Sequence, residues 1–265
     1  MSGGAPGGPS VKVIALLTDF GDGSVYVGAM KGVIASICPG ATVIDITHGV
    51  EPQCVEEAAF LLAAVDRFFP SGTTFVAVVD PGVGSAREIA LVDAGGRRYL
   101  APDNGLLTRV LARGGPSRAL YVQRAKHFLP EVSATFHGRD IFAPIAARLA
   151  SGEIAPEEVG PDAPVARLKR LPPPAGNVVH VDRFGNLVSD VEPPPGMRPA
   201  RVEVGRHVVT RRARTYAEAA TGEPFAYIGS FGTVEVALPS RSAAVALGVG
   251  RGATFQVHFE EAEPR

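Results

Sequence analysis

The chain has 265 residues, of which 46% are hydrophobic and 20% are charged, and its formal net charge is -1. This composition is sufficient for a buried core and excludes a globally disordered chain. The near-neutral charge provides no basic excess for a nucleic-acid backbone, so we expect no nucleic-acid partner.

The two cysteines, Cys38 and Cys54, form no CxxC pair and have no histidine at metal spacing. They therefore predict neither a disulfide framework nor a metal site, and favour small core residues in a reducing compartment. The apolar runs are far shorter than the roughly 20 residues that cross a bilayer, so we expect no membrane association. The first ten residues, "MSGGAPGGPS", lack the basic and apolar parts of a signal peptide. We expect residues 1–10 to be a flexible tail and the protein to be cytoplasmic.

From Val11 onward, short apolar runs alternate with stretches of helical spacing. Strands are predicted at "VKVIALL", "ATVIDIT" and "TTFVAVVD", and helices at "SVYVGAMKGVIASIC", "CVEEAAFLLAAVDRFF", "NGLLTRVLARG" and "RDIFAPIAARLASG". The runs "EIALVDA" and "RRYLAP" flank Gly95 and Gly96 and predict a hairpin. The alternation predicts an N-terminal α/β domain over residues 11–165, with a mainly parallel sheet and helices on both faces.

The pattern changes after Gly160. Residues 161–176, "PDAPVARLKRLPPPAG", contain five prolines and almost no periodicity, so we predict a proline-rich linker at 166–176. Short strands follow at "NVVHVD", "ARVEVG", "HVVTRR", "FAYIGS", "TVEVALP" and "TFQVHF", and only "YAEAA" has helical character. Residues 177–265 are therefore predicted to form a β domain that resembles a barrel.

Polar residues gather where the predicted N-terminal strands end, which is the edge at which α/β sheets bind ligands. The clusters are "TDFGDG", "THGV", "VVDPGVGSAR", "APDNG" and "TFHGRD", and their polar members are Asp19, Asp22, His48, Asp80, Arg87, Asp103, Asn104, His137, Arg139 and Asp140. Each alone also fits a plain structural role as a turn former, a helix cap or a core histidine. For His48, a role as a core histidine is favoured. The presence of so many polar residues at one edge of the predicted sheet argues for a ligand-binding site there.

Two familiar motifs are excluded. "DFG" and "HGRD" occur in the reverse of their order in protein kinases, and the glycine-rich loop and strand lysine that precede both in a kinase are missing. The segment "GDGSVYVG" lacks the third glycine of a dinucleotide fingerprint at its required position.

Seven blocks of the sequence together resemble one family. They are "LLTDFG", "YVGAMKGVI", "VIDITHGV", "VVDPGVGSAR", "APDNGLLT", "TFHGRDIFAPIAARLA" and "VDRFGNLVSD". The chain is similar over residues 11–259 to the S-adenosyl-L-methionine (SAM) hydrolases that form adenosine, also called SAM hydroxide adenosyltransferases. These enzymes are relatives of the fluorinases and chlorinases.

The resemblance implies an α/β domain followed by a barrel-like β domain, and a homotrimer with its sites between subunits. It implies hydrolysis of SAM to adenosine and L-methionine without a metal or other cofactor. By motif match, the family's hydrolytic triad corresponds to Asp80, Arg87 and His137. The turn between Asp80 and Arg87 would then return the guanidinium to the carboxylate.

Further residues correspond to substrate-binding positions of the family. Asp19 resembles the carboxylate that accepts both ribose hydroxyls. The amino-acid end of SAM is held at positions that match Asp182, Asn186 and Ser230, and adenine lies near those that match Arg241 and Ala243. The halogenases have arginine after this serine, whereas Phe231 follows here. Phe184 and Tyr227 are expected to pack rather than to stack on a ligand.

The chemistry fits these residue types. Attack at the ribose C5′ expels a neutral thioether from a sulfonium, so the leaving group needs no general acid. Catalysis must instead hold one water in line and stabilise its developing hydroxide character, and a dry site would help. Whether Asp80 or His137 takes the proton, or Arg87 stabilises a bound hydroxide, stays open.

Three alternatives to the hydrolase are considered. The first is a SAM-dependent halogenase, although Asp80 replaces the halogenase tyrosine and the halogenase loop insertion is missing. The second is a non-catalytic protein that binds SAM or adenosine. The third is a metal phosphohydrolase that uses Asp19, Asp22 and Asp103, which a chelator would inactivate.

Overall fold

The computed structural model describes residues 12–113, 118–219 and 222–262, so the predicted tail lies outside the described residues. The chain divides into two compact units, Met1–Leu171 and Pro172–Arg265. In the part of the chain that is described, no helix combines the length and the apolar character that crossing a bilayer requires.

The first unit is built on a six-stranded sheet. Its strands are β1 (Val13–Thr18), β2 (Thr42–Thr47), β3 (Thr74–Val78), β4 (Ile89–Ala94), β5 (Arg97–Pro102) and β6 (Arg118–Tyr121), in the order β2-β1-β3-β5-β4-β6. The first four strands in that order are parallel, and β4 is antiparallel to both of its neighbours. The mainly parallel sheet and the β4–β5 hairpin are confirmed, whereas β6 was not predicted.

Helices cover both faces of this sheet, as predicted. They are α1 (Val25–Ile37), α2 (Val55–Val65), α3 (Thr108–Ala112) and α4 (Ala143–Ser151). Within β1, Ile14 and Leu16 pack with residues of α1 and α4, whereas Ala15 and Leu17 pack with residues of α2 and α3. Because successive side chains of a strand point to opposite faces, a continuous apolar run serves both cores.

The predicted helix "RDIFAPIAARLASG" has two parts. A π-helical turn occupies Gly138–Phe142, and α4 follows it directly. Single π turns within helices are rare and are frequent at functional sites. The turn begins immediately after His137, so it sets the position of this side chain.

The proline-rich segment starts as part of the first unit. The backbone N–H groups of residues 163, 169 and 171 donate to the carbonyl of Ala119, the carboxylate of Asp103 and the hydroxyl of Thr108, each at 2.8 Å. These bonds hold the segment up to Leu171, where the first unit ends.

The second unit is β-rich, as predicted. Its elements are β7 (Val178–Val181), β8 (Leu187–Ser189), β9 (Met197–Val204), β10 (His207–Val209), β11 (Phe225–Ile228), β12 (Val234–Ala237), α5 (Ala243–Leu247) and β13 (Phe255–Glu261). The strands form two antiparallel sheets, β11-β12-β8-β7 and β10-β9-β13. Residues of both sheets, among them Leu187, Val202 and Phe255, share one core. The barrel is not confirmed, because the described ladders form two separate sheets.

The helix of the second unit lies elsewhere than predicted. Residues 216–219 of "YAEAA" form turns, and the helix is α5. Short segments nucleate helices poorly without added support. The side chain of Ser242 supplies that support to α5 by accepting a hydrogen bond from the N–H of Val245, and Gly248 ends the helix.

Candidate active site

The segment after β3 turns a carboxylate and a guanidinium towards each other. The backbone N–H of Val83 donates to the carbonyl of Asp80 at 3.2 Å, which begins the turn. Arg87 then donates from Nε to both carboxylate oxygens of Asp80, at 3.0 and 2.9 Å, and from Nη2 to Oδ2 at 2.5 Å. Both side chains are almost fully buried, with 6% of Asp80 and 7% of Arg87 exposed. Charge-assisted bonds of this kind fix the direction of the carboxylate.

Arg87 also contacts His137. Its Nη2 atom lies 2.8 Å from Nδ1 of the imidazole. A guanidinium has donors and no acceptor, so Nδ1 must accept this hydrogen bond and the ring hydrogen must lie on Nε2. Burial lowers the pKa of His137, and the positive charge of Arg87 lowers it further. The imidazole is therefore neutral near pH 7 and presents an N–H donor on its Nε2 side.

A glycine allows the Asp80 turn to touch the segment that carries His137. Gly84 has a φ of +76°, and a Cβ atom at this position would overlap the carbonyl oxygen of Ala134. Any other residue would strain the backbone and push the two loops apart. The structure thus brings together the three residues that the resemblance identifies as the triad.

A buried carboxylate closes the loop that precedes the π turn. Asp140 is 0% exposed and accepts hydrogen bonds from the N–H of Ser133 at 2.8 Å and from Nε of Arg139 at 2.6 Å. Buried charges persist where they are paired and hydrogen-bonded in this way. Asp140 and Arg139 therefore brace the loop around His137.

Three aromatic rings that were not predicted as site residues lie near the residues on either side of His137. Phe20, Tyr26 and Phe136 meet edge to face, with centroid separations of 5.0–6.2 Å. A Cβ atom added at Gly138 would lie 3.3 Å from the ring of Phe20, so this cluster reaches the residue after His137. The available signal was that each aromatic residue lies in or next to a polar block of the sequence. The cluster therefore packs against Gly138, the residue that follows His137.

Asp19 lies in the loop after β1. Its Oδ2 atom accepts a hydrogen bond from the N–H of Gln53 at 2.8 Å, and Gln53 itself has a φ of +66°. Non-glycine residues seldom take such a conformation, and those that do cluster at functional sites. One carboxylate oxygen of Asp19 is thus held in place by a backbone N–H group.

Two other polar clusters have structural partners. His48 is 4% exposed, with Nδ1 2.9 Å from the hydroxyl of Thr18 and Nε2 3.1 Å from Oδ1 of Asp45, in agreement with a core histidine. Asn104 donates from Nδ2 to the carbonyl of Val79 at 2.9 Å. It therefore braces the chain directly before Asp80.

In the second unit, Asp182 organises the turn "DRFGN". Its Oδ1 atom accepts from the backbone N–H groups of Phe184 and Asn186, at 2.9 and 2.8 Å, and its Oδ2 atom accepts from Nδ2 of Asn186 at 2.7 Å. The N–H of Ala244 donates to the carbonyl of Gly185 at 2.9 Å, which places the start of α5 against this turn. The structure therefore brings Asp182 and Asn186 close to the segment that contains Ala243.

The remaining predicted binding residues have different exposures. Ser230 and Arg241 are exposed, and Ala243 is fully buried, so only its backbone can face a ligand. Phe184 does not pack as expected, because it is 78% exposed. Tyr227 does pack, with its ring 5.4 Å from that of Phe225.

Among the residues that the structure describes, no group of three or more His, Cys, Asp or Glu side chains is placed to hold a metal ion.

The chain is similar to named enzymes over most of its length. It is 42% identical over 255 residues to an (R)-S-adenosyl-L-methionine hydrolase of Thermus thermophilus, a match that covers 91% of this chain and 98% of that protein. It is 40% identical over 260 residues to an enzyme of the same name from Salinispora tropica, covering 92% of this chain and 97% of the relative. A fluorinase of Actinoplanes sp. is 33% identical over 213 residues, which are 68% of this chain and 71% of the fluorinase.

Solved structures show the same fold. An uncharacterized conserved protein from Thermotoga maritima superposes with a TM-score of 0.83 at 35% identity, covering 92% of this chain and 99% of that one. A conserved hypothetical protein from Thermus thermophilus gives a TM-score of 0.76 at 38% identity, with 93% and 100% of the two chains covered. The family models for the N-terminal and C-terminal domains of SAM hydroxide adenosyltransferases match residues 14–160 and 176–256. These matches confirm the resemblance carried by the sequence blocks, and the chain belongs to the SAM hydroxide adenosyltransferase family.

Proposed function

We propose that this protein hydrolyses SAM to adenosine and L-methionine by attack of water on the ribose C5′. The observation that carries the proposal is the buried contact of Asp80, Arg87 and His137. The names of the relatives support the same reaction, and they also suggest the (R) configuration at sulfur for the substrate.

The three side chains have separate roles in this proposal. The neutral imidazole of His137 donates from Nε2 to the oxygen of the attacking water, because its Nδ1 is occupied by Arg87. The carboxylate of Asp80 accepts a hydrogen from the same water, and Arg87 holds the carboxylate and the imidazole at one fixed spacing. Such preorganisation removes much of the entropic barrier to attack.

The step balances without a co-reactant. A bond forms between the water oxygen and C5′, the bond from C5′ to sulfur breaks, and its electron pair neutralises the sulfonium. The water proton passes to Asp80 and then to solvent. No acid is required at the leaving group, because the thioether of methionine departs as a neutral molecule. We propose that the aromatic cluster of Phe20, Tyr26 and Phe136 limits the access of other water molecules.

In this proposal the substrate is held between two subunits, by the N-terminal domain of one subunit and the C-terminal domain of its neighbour. Asp19 accepts the ribose hydroxyls. The amino-acid end is bound by the carboxylate of Asp182, the amide of Asn186 and the hydroxyl of Ser230. Adenine lies near Arg241 and the backbone of Ala243. The fixed turn around Asp182 supports the assignment of the amino-acid end, and the contact of α5 with Gly185 supports that of adenine.

The reaction is tested with purified protein, the two sulfonium epimers of SAM, and water enriched in oxygen-18. We expect adenosine and methionine from the (R) epimer, with the label in the 5′-hydroxyl of adenosine. Label in another product, or release of adenine, would contradict attack at C5′. Binding of SAM without turnover would instead support the non-catalytic alternative.

The fluorinase relatives make a halogenase the second candidate. The same incubation with fluoride or chloride distinguishes the two activities. We expect adenosine as the product at every halide concentration, because Asp80 occupies the halogenase tyrosine position. A 5′-halo-5′-deoxyadenosine that increases with halide would favour the halogenase.

We also propose a homotrimer in the cytoplasm, with barrel-like C-terminal domains and with domain bounds at 11–165, 166–176 and 177–265. Family membership supports the trimer, and the two cysteines, which are buried and form no disulfide, fit a reducing compartment. Light scattering after size-exclusion chromatography measures the oligomer, and a monomer with full activity would contradict the trimer.

A further inference from the structure

A chain of hydrogen bonds leads from the proposed amino-acid site into the interior of the second unit. Asn186 donates from Nδ2 to the hydroxyl of Tyr216 at 2.8 Å. The hydroxyls of Tyr216 and Tyr227 are 3.2 Å apart, and Tyr227 donates a short hydrogen bond to Oε2 of Glu235. Four side chains that are distant in sequence thus form one continuous path.

The direction of every hydrogen in this path follows from the chemistry of the groups. The carboxylate of Asp182 can only accept, so the amide nitrogen of Asn186 must face it, and its second hydrogen goes to Tyr216. Tyr227 gives its hydroxyl hydrogen to Glu235, so its oxygen accepts from Tyr216. Both amide hydrogens of Asn186 are therefore used, and the orientation of the amide is fixed.

The far end of the path is anchored firmly. Glu235 is 6% exposed, and a Cβ atom added at Gly229 would overlap its carboxylate. The glycine therefore leaves the space that this side chain occupies. Burial raises the pKa of Glu235, while the hydrogen bond from Tyr227 opposes that shift. Burial likewise raises the pKa of Tyr227, so its hydroxyl keeps its hydrogen over the working range of pH.

We propose that Tyr216, held by Tyr227 and Glu235, is a positioning residue that orients Asn186 and Asp182 towards the amino-acid end of the substrate. The inference rests on the proposed function, since it takes SAM as the ligand. Asn186 is 3% exposed and shares its amide between Asp182 and Tyr216, so the hydroxyl of Tyr216 controls one side of the pair. The ring of Tyr216 packs edge to face on Phe225 at 5.5 Å, and Tyr216→Phe keeps that ring while it removes the hydroxyl.

The test compares two thioether ligands that share the adenosine and the sulfur but differ in the amino-acid end. S-adenosylhomocysteine carries the amino-acid end, and 5′-methylthioadenosine lacks it. Calorimetry gives the Kd of each ligand for the full chain and for Tyr216→Phe. Loss of one hydrogen bond predicts a Kd for S-adenosylhomocysteine that rises about two- to tenfold, with that for 5′-methylthioadenosine unchanged. The KM for SAM should rise by a similar factor with little change in kcat.

Two further variants sharpen the result. Tyr227→Phe removes the hydroxyl that lies between Tyr216 and Glu235. It should also raise the Kd for S-adenosylhomocysteine, by a smaller factor. Tyr121→Phe removes a tyrosine hydroxyl in the first unit and should leave both Kd values unchanged. Thermal unfolding of each variant excludes loss of the fold as the cause.

The outcomes separate this inference from the proposed function. Suppose that the unsubstituted protein binds both ligands and hydrolyses SAM. If Tyr216→Phe then weakens the binding of both ligands equally, or of neither, the positioning role is wrong and the proposed function stands. If the natural sequence neither binds S-adenosylhomocysteine nor converts SAM, the proposed function is wrong, and the inference fails with it.

Discussion

The Nη2 atom of Arg87 lies 2.8 Å from Nδ1 of His137, although 50 positions separate the two residues in the chain. The same nitrogen is 2.5 Å from Oδ2 of Asp80. One guanidinium therefore links a carboxylate to an imidazole and decides which imidazole nitrogen carries the hydrogen. The three groups act as a unit, so a change in any one should disturb the other two.

Replacing Asp80 with Asn should abolish most of the activity. The amide keeps the shape of the carboxylate but removes its charge, and it leaves the buried guanidinium of Arg87 without a countercharge. We expect kcat to fall by about 100-fold or more, as is typical when a proton acceptor or a preorganised charge is lost. Rates of adenosine formation measure this directly. The matched control is Asp162→Asn at a carboxylate that is 75% exposed and pairs with Arg118, which should retain full activity. Equal activity in both variants would remove Asp80 from the mechanism.

The pH dependence of the activity should reflect the protonation of His137. Its pKa is lowered from 6.5 by burial and by the charge of Arg87, so the neutral ring persists below pH 6.5. Activity should be retained on the alkaline side and should fall as the pH drops through the lowered pKa, because a protonated Nδ1 would face the donor of Arg87. The profile of kcat/KM measures this, with an expected acid limb below pH 6.5.

A substitution of His137 tests whether this residue causes the acid limb of the pH profile. His137→Gln should be slow at every pH and should lack the limb, whereas His258→Gln, at an exposed histidine paired with Glu203, should keep the natural profile. An acid limb centred above pH 6.5 in the unsubstituted protein would contradict control of the activity by a lowered pKa of His137.

Much of the fold was predictable because its signals are local. The run "VKVIALL" carries apolar residues for two cores, and the helix "SVYVGAMKGVIASIC" ends before Pro39, so both could be assigned from neighbouring residues alone. Strand β6 has only four residues, "RALY", and its pairing with β4 depends on residues about 30 positions away. The turns at 216–219 likewise depend on distant partners, since Tyr216 is bonded to Asn186.

The candidate site was predictable only in part. The family resemblance implied that the glycine turn pairs Arg87 with Asp80, and their contact is present. The place of His137 came from the family resemblance, because no local pattern joins it to Arg87. Its protonation state could not be predicted from sequence, since it follows from a contact and from burial. The path from Asn186 to Glu235 also exists only in three dimensions.

Replacing Asp19 with Asn should weaken recognition of the ribose. The amide can still accept from the N–H of Gln53, so the loop should persist, but one oxygen becomes a donor and suits a diol less well. We expect the KM for SAM to rise about tenfold or more, since a hydrogen bond to a charged group contributes about 1.5–3 kcal/mol. A 2′-deoxyribose analogue of SAM provides the internal control. The natural sequence should discriminate against it, and the variant should discriminate less. Unchanged discrimination would place the diol elsewhere.

Replacing Gly84 with Ala should separate the two loops that carry the triad. Gly84 and Gly152 have nearly equal φ angles, +76° and +78°, but only a Cβ at Gly84 would overlap the backbone of Ala134, whereas nothing lies within 4 Å at Gly152. Both substitutions carry the cost of a left-handed alanine, about 1–2 kcal/mol, so Gly152→Ala controls for backbone strain. We expect similar losses of thermal stability from that strain, with an additional loss in Gly84→Ala. Activity at a temperature where both variants are folded should fall at least tenfold only in Gly84→Ala, because a displacement near 1 Å can cost about 100-fold in rate. If the two variants were equally active, the contact with Ala134 would not be what aligns Arg87 with His137.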